Sequence, residues 1–140
     1  MPSPYPADMM PTIHSSNASQ SIEFLTNVLG LRVVVAHKDD TGRVVHGELA
    51  FGDTGMLIIG DLPIESEPQR MRISLGTASV YLVTDEAGVE DAWVKAQAAV
   101  ERGECTVVGE LERPSYGGAN FTVQSQDGHY WTVGSYRPQV

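Results

Sequence analysis

The chain has 140 residues, of which 41% are hydrophobic and 19% charged, enough for one domain that buries roughly two thirds of its extended surface. Eighteen acidic against nine basic residues give a formal charge of −9; without a basic run, this argues against nucleic acid and anionic membrane surfaces as partners. No apolar run approaches the ~20 residues of a membrane helix, MPSPYPADMM lacks the pattern of a signal peptide, and the lone Cys105 excludes an internal disulfide or multi-cysteine zinc site. A cytoplasmic protein, with Cys105 buried in a strand, is the expectation.

Three prolines among the first ten residues read as a loose arm. Met10 to His14 reads as a short strand closed by Ser15-Ser16-Asn17. A helix follows, capped by Asn17 or Ser19, with Ile22, Phe24, Leu25, Val28 and Leu29 near helical spacing and Gly30 as its stop. Leu31 to His37 is rich in β-branched residues, and Lys38 to Gly42 is a turn cluster. Arg43 to Phe51 and Met56 to Gly60 complete four strands around one helix. The stretch from Asp61 to Thr77 has no clear period and reads as a crossover or lid.

The order then repeats: a strand at Ser79 to Thr84, a helix at Gly88 to Arg102 with Val89, Ala92, Trp93, Ala96 and Ala99 on one stripe, then strands at Glu104 to Leu111, Tyr116 to Gln124 and His129 to Tyr136. An offset of 74 lays Asp53 on Asp127, Leu57 on Trp131, Ile59 on Val133, Gly60 on Gly134, His46 on Asn120 and Glu48 on Thr122. At the front, an offset of 69 lays Met10 on Ser79. Neither half can bury both faces of a four-stranded sheet alone. The expectation is one α+β domain over 1–140. Two βαβββ modules, at about 8–61 and 78–138 with a crossover at about 62–77, form a curved mixed-sheet cup with helices on the outer face.

Alternation assigns each strand residue to a face. Val45, Leu49 and Phe51 belong under the first helix; Phe121, Val123, Trp131 and Val133 belong under the second. The opposite face then collects Met10, Thr12, His14, Val44, His46, Glu48 and Ala50 in the first module. In the second it collects Ser79, Tyr81, Val83, Asn120, Thr122, Gln124, Tyr130, Thr132 and Tyr136. An aromatic face with a few convergent polar groups suits a small molecule.

Three features resemble the vicinal-oxygen-chelate superfamily of glyoxalases, bleomycin-resistance proteins and extradiol dioxygenases. Ser21 to Leu31 (SIEFLTNVLGL) is similar to its first-helix signature, Gln126 to Thr132 (QDGHYWT) to its last hairpin, and the duplicated element order to its fold. The resemblance implies metal ligands at Met10, Ile58, Ser79 and Thr132, none of which is a His, Glu or Asp. A thioether, an alkyl group and two hydroxyls do not hold a hard or borderline divalent ion. By that pattern the chain looks like the metal-free branch, which includes antibiotic-sequestering proteins, and no cofactor is expected. The resemblance also implies a homodimer, which the exposed edges of two sheets make physically reasonable.

Three functional readings stand open, the last of them a structural or interaction subunit with a filled cup. In the first, a hydrophobic or aromatic small molecule, an antibiotic among the candidates, is sequestered in the cup by His14, His46, Glu48, Ile58, Tyr81, Asn120, Thr122, Tyr130, Thr132 and Tyr136. In the second, a lyase, isomerase or dioxygenase-type enzyme uses Glu48 with His46 or His14 as acid–base groups, or as a displaced metal site. His129 is expected to be a solvated turn residue, and Gly117-Gly118 either a bulge or a place where a ligand approaches the backbone.

Overall fold

A computed structural model describes residues 5–62, 76, 78–115 and 117–138. Most of the expected crossover and Tyr116 lie outside these residues. The first module runs β1 (Thr12–Ser15), α1 (Ala18–Asn27), β2 (Arg32–Lys38), β3 (Val44–Phe51) and β4 (Gly55–Asp61). The second runs β5 (Ser79–Val83), α2 (Glu86–Glu101), β6 (Cys105–Glu112), β7 (Asn120–Ser125) and β8 (Tyr130–Gly134). Two open four-stranded mixed sheets result, in the orders β1-β4-β3-β2 and β5-β8-β7-β6. The chain is thus an α+β fold of two βαβββ modules, which form two compact units.

The helix ends follow from their local chemistry. Asn17 accepts from the Gln20 amide at 3.2 Å, which makes Asn17 rather than Ser19 the cap of α1. Asp61, at the end of β4, adds a long-range lock: one carboxylate oxygen accepts from Ala18 N at 2.7 Å and the other from Val44 N at 2.8 Å. The second helix is capped from within, Asp85 accepting from Gly88 N at 2.7 Å, and it begins two residues earlier than its apolar stripe predicts. It ends in a Schellman motif: Gly103 N bonds to Val100 O, Glu104 N bonds to Ala99 O, and Gly103 sits at φ 75°.

The repeat offsets read from the sequence are the registers of the sheets. Gly47↔Ile59, Glu48↔Ile58 and Leu49↔Leu57 on β3–β4 become Phe121↔Val133, Thr122↔Thr132 and Val123↔Trp131 on β7–β8, each moved by 74. Thr12↔Ile58 and Ile13↔Ile59 become Tyr81↔Thr132 and Leu82↔Val133, with the first strand moved by 69. Even a β-bulge recurs at this spacing, since Val34 has no partner on β3 and Val108 none on β7.

Alternation places the core as expected at Ile13, Leu49, Phe121, Val123, Trp131 and Val133, all buried. Trp93 packs its ring on Phe121 at 5.2 Å, which marks that row as the side under α2. Cys105 is buried with its Sγ directed at Ala96 O, and burial pushes its thiol pKa up. It is the inert strand residue expected.

Three expectations are corrected. Val45, expected on the helix side, is 50% exposed, and Val44, expected on the opposite face, is fully buried; a register shift between His37 and Lys38 breaks the alternation there. His129 is not a solvated turn residue but 2% exposed, its Nδ1 accepting the Ala78 amide at 3.1 Å. That bond, with Tyr130 N donating to Ala78 O at 3.0 Å, clasps the entry of β5 to the β7–β8 hairpin. Met10 lies ahead of β1 and is exposed, because β1 begins only at Thr12.

Candidate functional site

In the first module the face away from α1 is defined by Gly47, where an added Cβ would meet Ile22 of α1 at 3.6 Å. Gly47, Leu49 and Ile59 therefore face the helix, and His46, Glu48 and Ile58 face the other way. His46 and Glu48 are joined by a bond of 2.8 Å between Nε2 and Oε2, with both side chains partly exposed. His37, the cross-strand partner of His46, stacks on it with ring centroids 6.1 Å apart and planes at 27°. The sequence alone does not single out His37, since its place depends on hairpin register across the bulge. Its only sequence signal is the turn at Lys38 to Gly42, which folds β2 back on β3.

The second module builds a different surface on the same ladder. Thr122 and Thr132, directly opposite each other, share a hydrogen bond between hydroxyls at 2.7 Å. Tyr81 pairs with Thr132 on the neighbouring strand, and its ring lies along β8 over Gly134. An added Cβ at Gly134 would collide with the Tyr81 hydroxyl and ring and would stand 3.2 Å from Asn120 Cβ. Gly134 therefore seats the phenol. Tyr81 nonetheless stays 45% exposed, and Tyr130 and Tyr136 are exposed as well. Tyr136 lies beyond the end of β8.

The structure thus brings the expected residues together in two groups. Glu48, His46 and Ile58 adjoin on β3 and β4, while Tyr81, Asn120, Thr122 and Thr132 adjoin on β5, β7 and β8. His14 pairs with Gly60 on the first sheet and is half-buried. Gly117 and Gly118, considered as a point of ligand approach, have left-handed φ of 112° and 75°. An added Cβ at Gly118 would press on Ser135 Oγ at 2.9 Å and Tyr136 N at 3.1 Å, so the chain's own backbone occupies that approach.

A divalent metal at the positions implied by the resemblance does not fit the residues present. Ile58 offers an alkyl group, the Thr132 hydroxyl is already bonded to Thr122, and Ser79 is an exposed residue at the start of β5. Met10, ahead of β1, offers a thioether. The displaced set of His14, His46 and Glu48 fares no better: among the described residues no three His, Cys, Asp or Glu side chains are grouped to hold a metal ion.

No protein-family model matches the sequence, and no curated protein matches it. Solved structures do match. The chain is similar to TioX from Micromonospora sp. ML1, with a TM-score of 0.70 at 17% identity over 92% of this chain and 98% of that one. It is similar to a lactoylglutathione lyase from Agrobacterium tumefaciens, with a TM-score of 0.65 at 19% identity over 94% and 95% of the two chains. It is also similar to a glyoxalase/bleomycin resistance protein from Streptomyces sp. CB03234, with a TM-score of 0.61 at 20% identity over 90% and 97%. Likeness at these identities is likeness of fold, and it coincides with the duplicated ladder and the element order. The chain has the vicinal-oxygen-chelate fold, the fold of the glyoxalase/bleomycin-resistance proteins.

Proposed function

We propose that this chain is a glyoxalase/bleomycin-resistance-like binding protein. It holds a hydrophobic or aromatic small molecule on the polar, aromatic strand surface without a metal. The observation that carries the reading is Tyr81, laid over Gly134 beside the Thr122–Thr132 hydroxyl pair and still 45% exposed. A flat apolar ligand gains from stacking on such a ring, and the neighbouring hydroxyls and the Asn120 amide supply the few directional contacts that orient it. The charge of −9 favours a neutral or cationic molecule, and a planar cationic antibiotic is one such class. The likeness to a glyoxalase/bleomycin resistance protein supports the same reading.

The acid–base reading has less behind it. His46 and Glu48 are bonded, but both are partly exposed, and a dyad that works on a proton is helped by a site that excludes water.

Fluorescence titration against a panel of planar neutral, cationic and anionic antibiotics tests the proposal. Saturable quenching by cationic or neutral members, lost in Tyr81→Ala and unchanged by a chelator, is the expected result. A panel without response removes the reading. Binding that disappears with the chelator would return the chain to metal chemistry.

A further inference from the structure

The first module carries two imidazoles at chelating distance on the face away from α1. His37 on β2 and His46 on β3 are direct cross-strand partners, and their rings lie with centroids 6.1 Å apart at 27°. A zinc-like divalent ion binds an imidazole nitrogen at about 2.0–2.1 Å, so two rings sharing one ion have centroids roughly 4.5–6 Å apart. This pair stands at the outer end of that range. The χ2 torsion of histidine is broad, and a small turn of the rings brings a nitrogen of each to a common point.

Glu48 prepares one of the two rings. Its Oε2 lies 2.8 Å from His46 Nε2. A carboxylate only accepts, so Nε2 carries the proton and the lone pair of the neutral ring is left on Nδ1. A carboxylate behind a ligating histidine fixes the tautomer in this way and makes the ring a better donor. His37 is exposed and the His46 side chain is 41% exposed, so an ion reaches the pair from solvent. The formal charge of −9 draws cations to the surface.

We propose that His37 and His46 form a surface site for one borderline divalent cation, with Glu48 orienting His46 rather than ligating. Imidazole suits copper, nickel and zinc, and Cu(II) heads their order of affinity. Two imidazoles leave the other coordination positions to water, an open arrangement unlike the three-ligand group that His14, His46 and Glu48 do not make. The site uses no residue of the Tyr81 surface, so it and the small-molecule reading stand or fall separately.

Calorimetric titration of the chelator-stripped full chain with Cu(II), joined to electron paramagnetic resonance, is the test. One ion per chain is expected, with hyperfine structure from two imidazole nitrogens. His37→Ala and His46→Ala should each abolish stoichiometric binding, with circular dichroism verifying the fold, and His14→Ala should leave it unchanged. Glu48→Ala should weaken binding about 10-fold or more. Glu48→Gln, which still accepts from Nε2, should lose less; equal losses would overturn the orienting role. A chain that takes up no stoichiometric ion, an ion retained when both histidines are replaced, or an ion lost in His14→Ala overturns the site.

Discussion

The two modules share one backbone and almost none of their surface chemistry. Position for position the ladder of β3–β4 is that of β7–β8, with a glycine at 60 and 134, and the bulges at Val34 and Val108 on the neighbouring strands recur as well. Yet the two glycines are needed for different reasons. At Gly60 a Cβ would meet the carbonyl oxygens of Val45 and Val44 at 3.3 and 3.6 Å, whereas at Gly134 it would displace the Tyr81 phenol. Glu48 and Ile58 have become Thr122 and Thr132, and a face with a histidine–carboxylate hydrogen bond has become one with a hydroxyl pair beside a tyrosine. Backbone register survives because a slip of one residue would turn a whole strand's core side chains to the solvent. The outward face has no such constraint.

The largest expected difference between the modules lies in the core. Leu57 and Trp131 are equivalent and both buried, but Trp131 also donates from Nε1 to Ser125 Oγ at 3.1 Å. Trp131→Ala should cost about 3–5 kcal/mol and Leu57→Ala less, read as shifts in the urea midpoint at constant slope. A larger loss at Leu57 would contradict the account of the second core.

Next comes the clasp that only the second module has, because Gly55 stands where His129 would be. His129→Leu keeps the volume but removes the acceptor of the Ala78 amide, and should cost about 1–3 kcal/mol. Amide hydrogen exchange at Ala78 should accelerate at the same time; unchanged exchange would deny the bond its role.

A smaller effect separates the two glycines. Gly134→Ala should destabilise by about 1 kcal/mol, and Tyr81→Ala in the same chain should cancel most of that cost. For Gly60→Ala no such cancellation is expected, since its neighbours are backbone. A double-mutant cycle with zero coupling between positions 81 and 134 would mean the phenol does not need the glycine.

The smallest effect is a titration confined to the first module. The Asp39 carboxyl is held down to about 2, chiefly by the Thr41 hydroxyl, with help from the Thr41 and Arg43 amides and the Arg43 guanidinium. Because the folded value lies below the ordinary 3.8, its contribution is complete above that pH and fades as pH falls through about 2. The Thr41 and Arg43 amide resonances should therefore shift with an apparent midpoint near 2. Asp39→Asn should abolish that shift. The β6–β7 connection has Arg113 at the equivalent position and should show no such step. A midpoint in the ordinary carboxylate range would remove the bonding account.

Much of the fold was legible because its signals are local or periodic. Gly30 and Gly103 stop helices by needing left-handed φ, Asn17 caps the first of them, and the valine- and aromatic-rich strands alternate; the Asp85 cap, two residues ahead of the apolar stripe, came only with the structure. The site was legible only in its membership. Glu48, His46, Tyr81, Thr122 and Thr132 follow from alternation, but His37 stacking on His46 needed the hairpin's register across a bulge. Val44 and Val45 exchange their expected faces at the other register shift, where a period of two does not hold.

Spacing alone carries the elements, the duplication and the core rows away from the register shifts, since the backbone converts a regular spacing directly into faces. The misfit of the metal positions was equally readable, because the chemistry of an alkyl group or a thioether does not depend on where it is held. Tertiary structure decided what long-range neighbours alone can supply. It chose Asp61 to hold both α1 and β3, and buried His129 against Ala78. It laid Tyr81 across Gly134, and it stacked His37 on His46 across the β2–β3 hairpin. Each of these joins residues that one-dimensional spacing leaves unconnected, and only a folded ladder gives them an address.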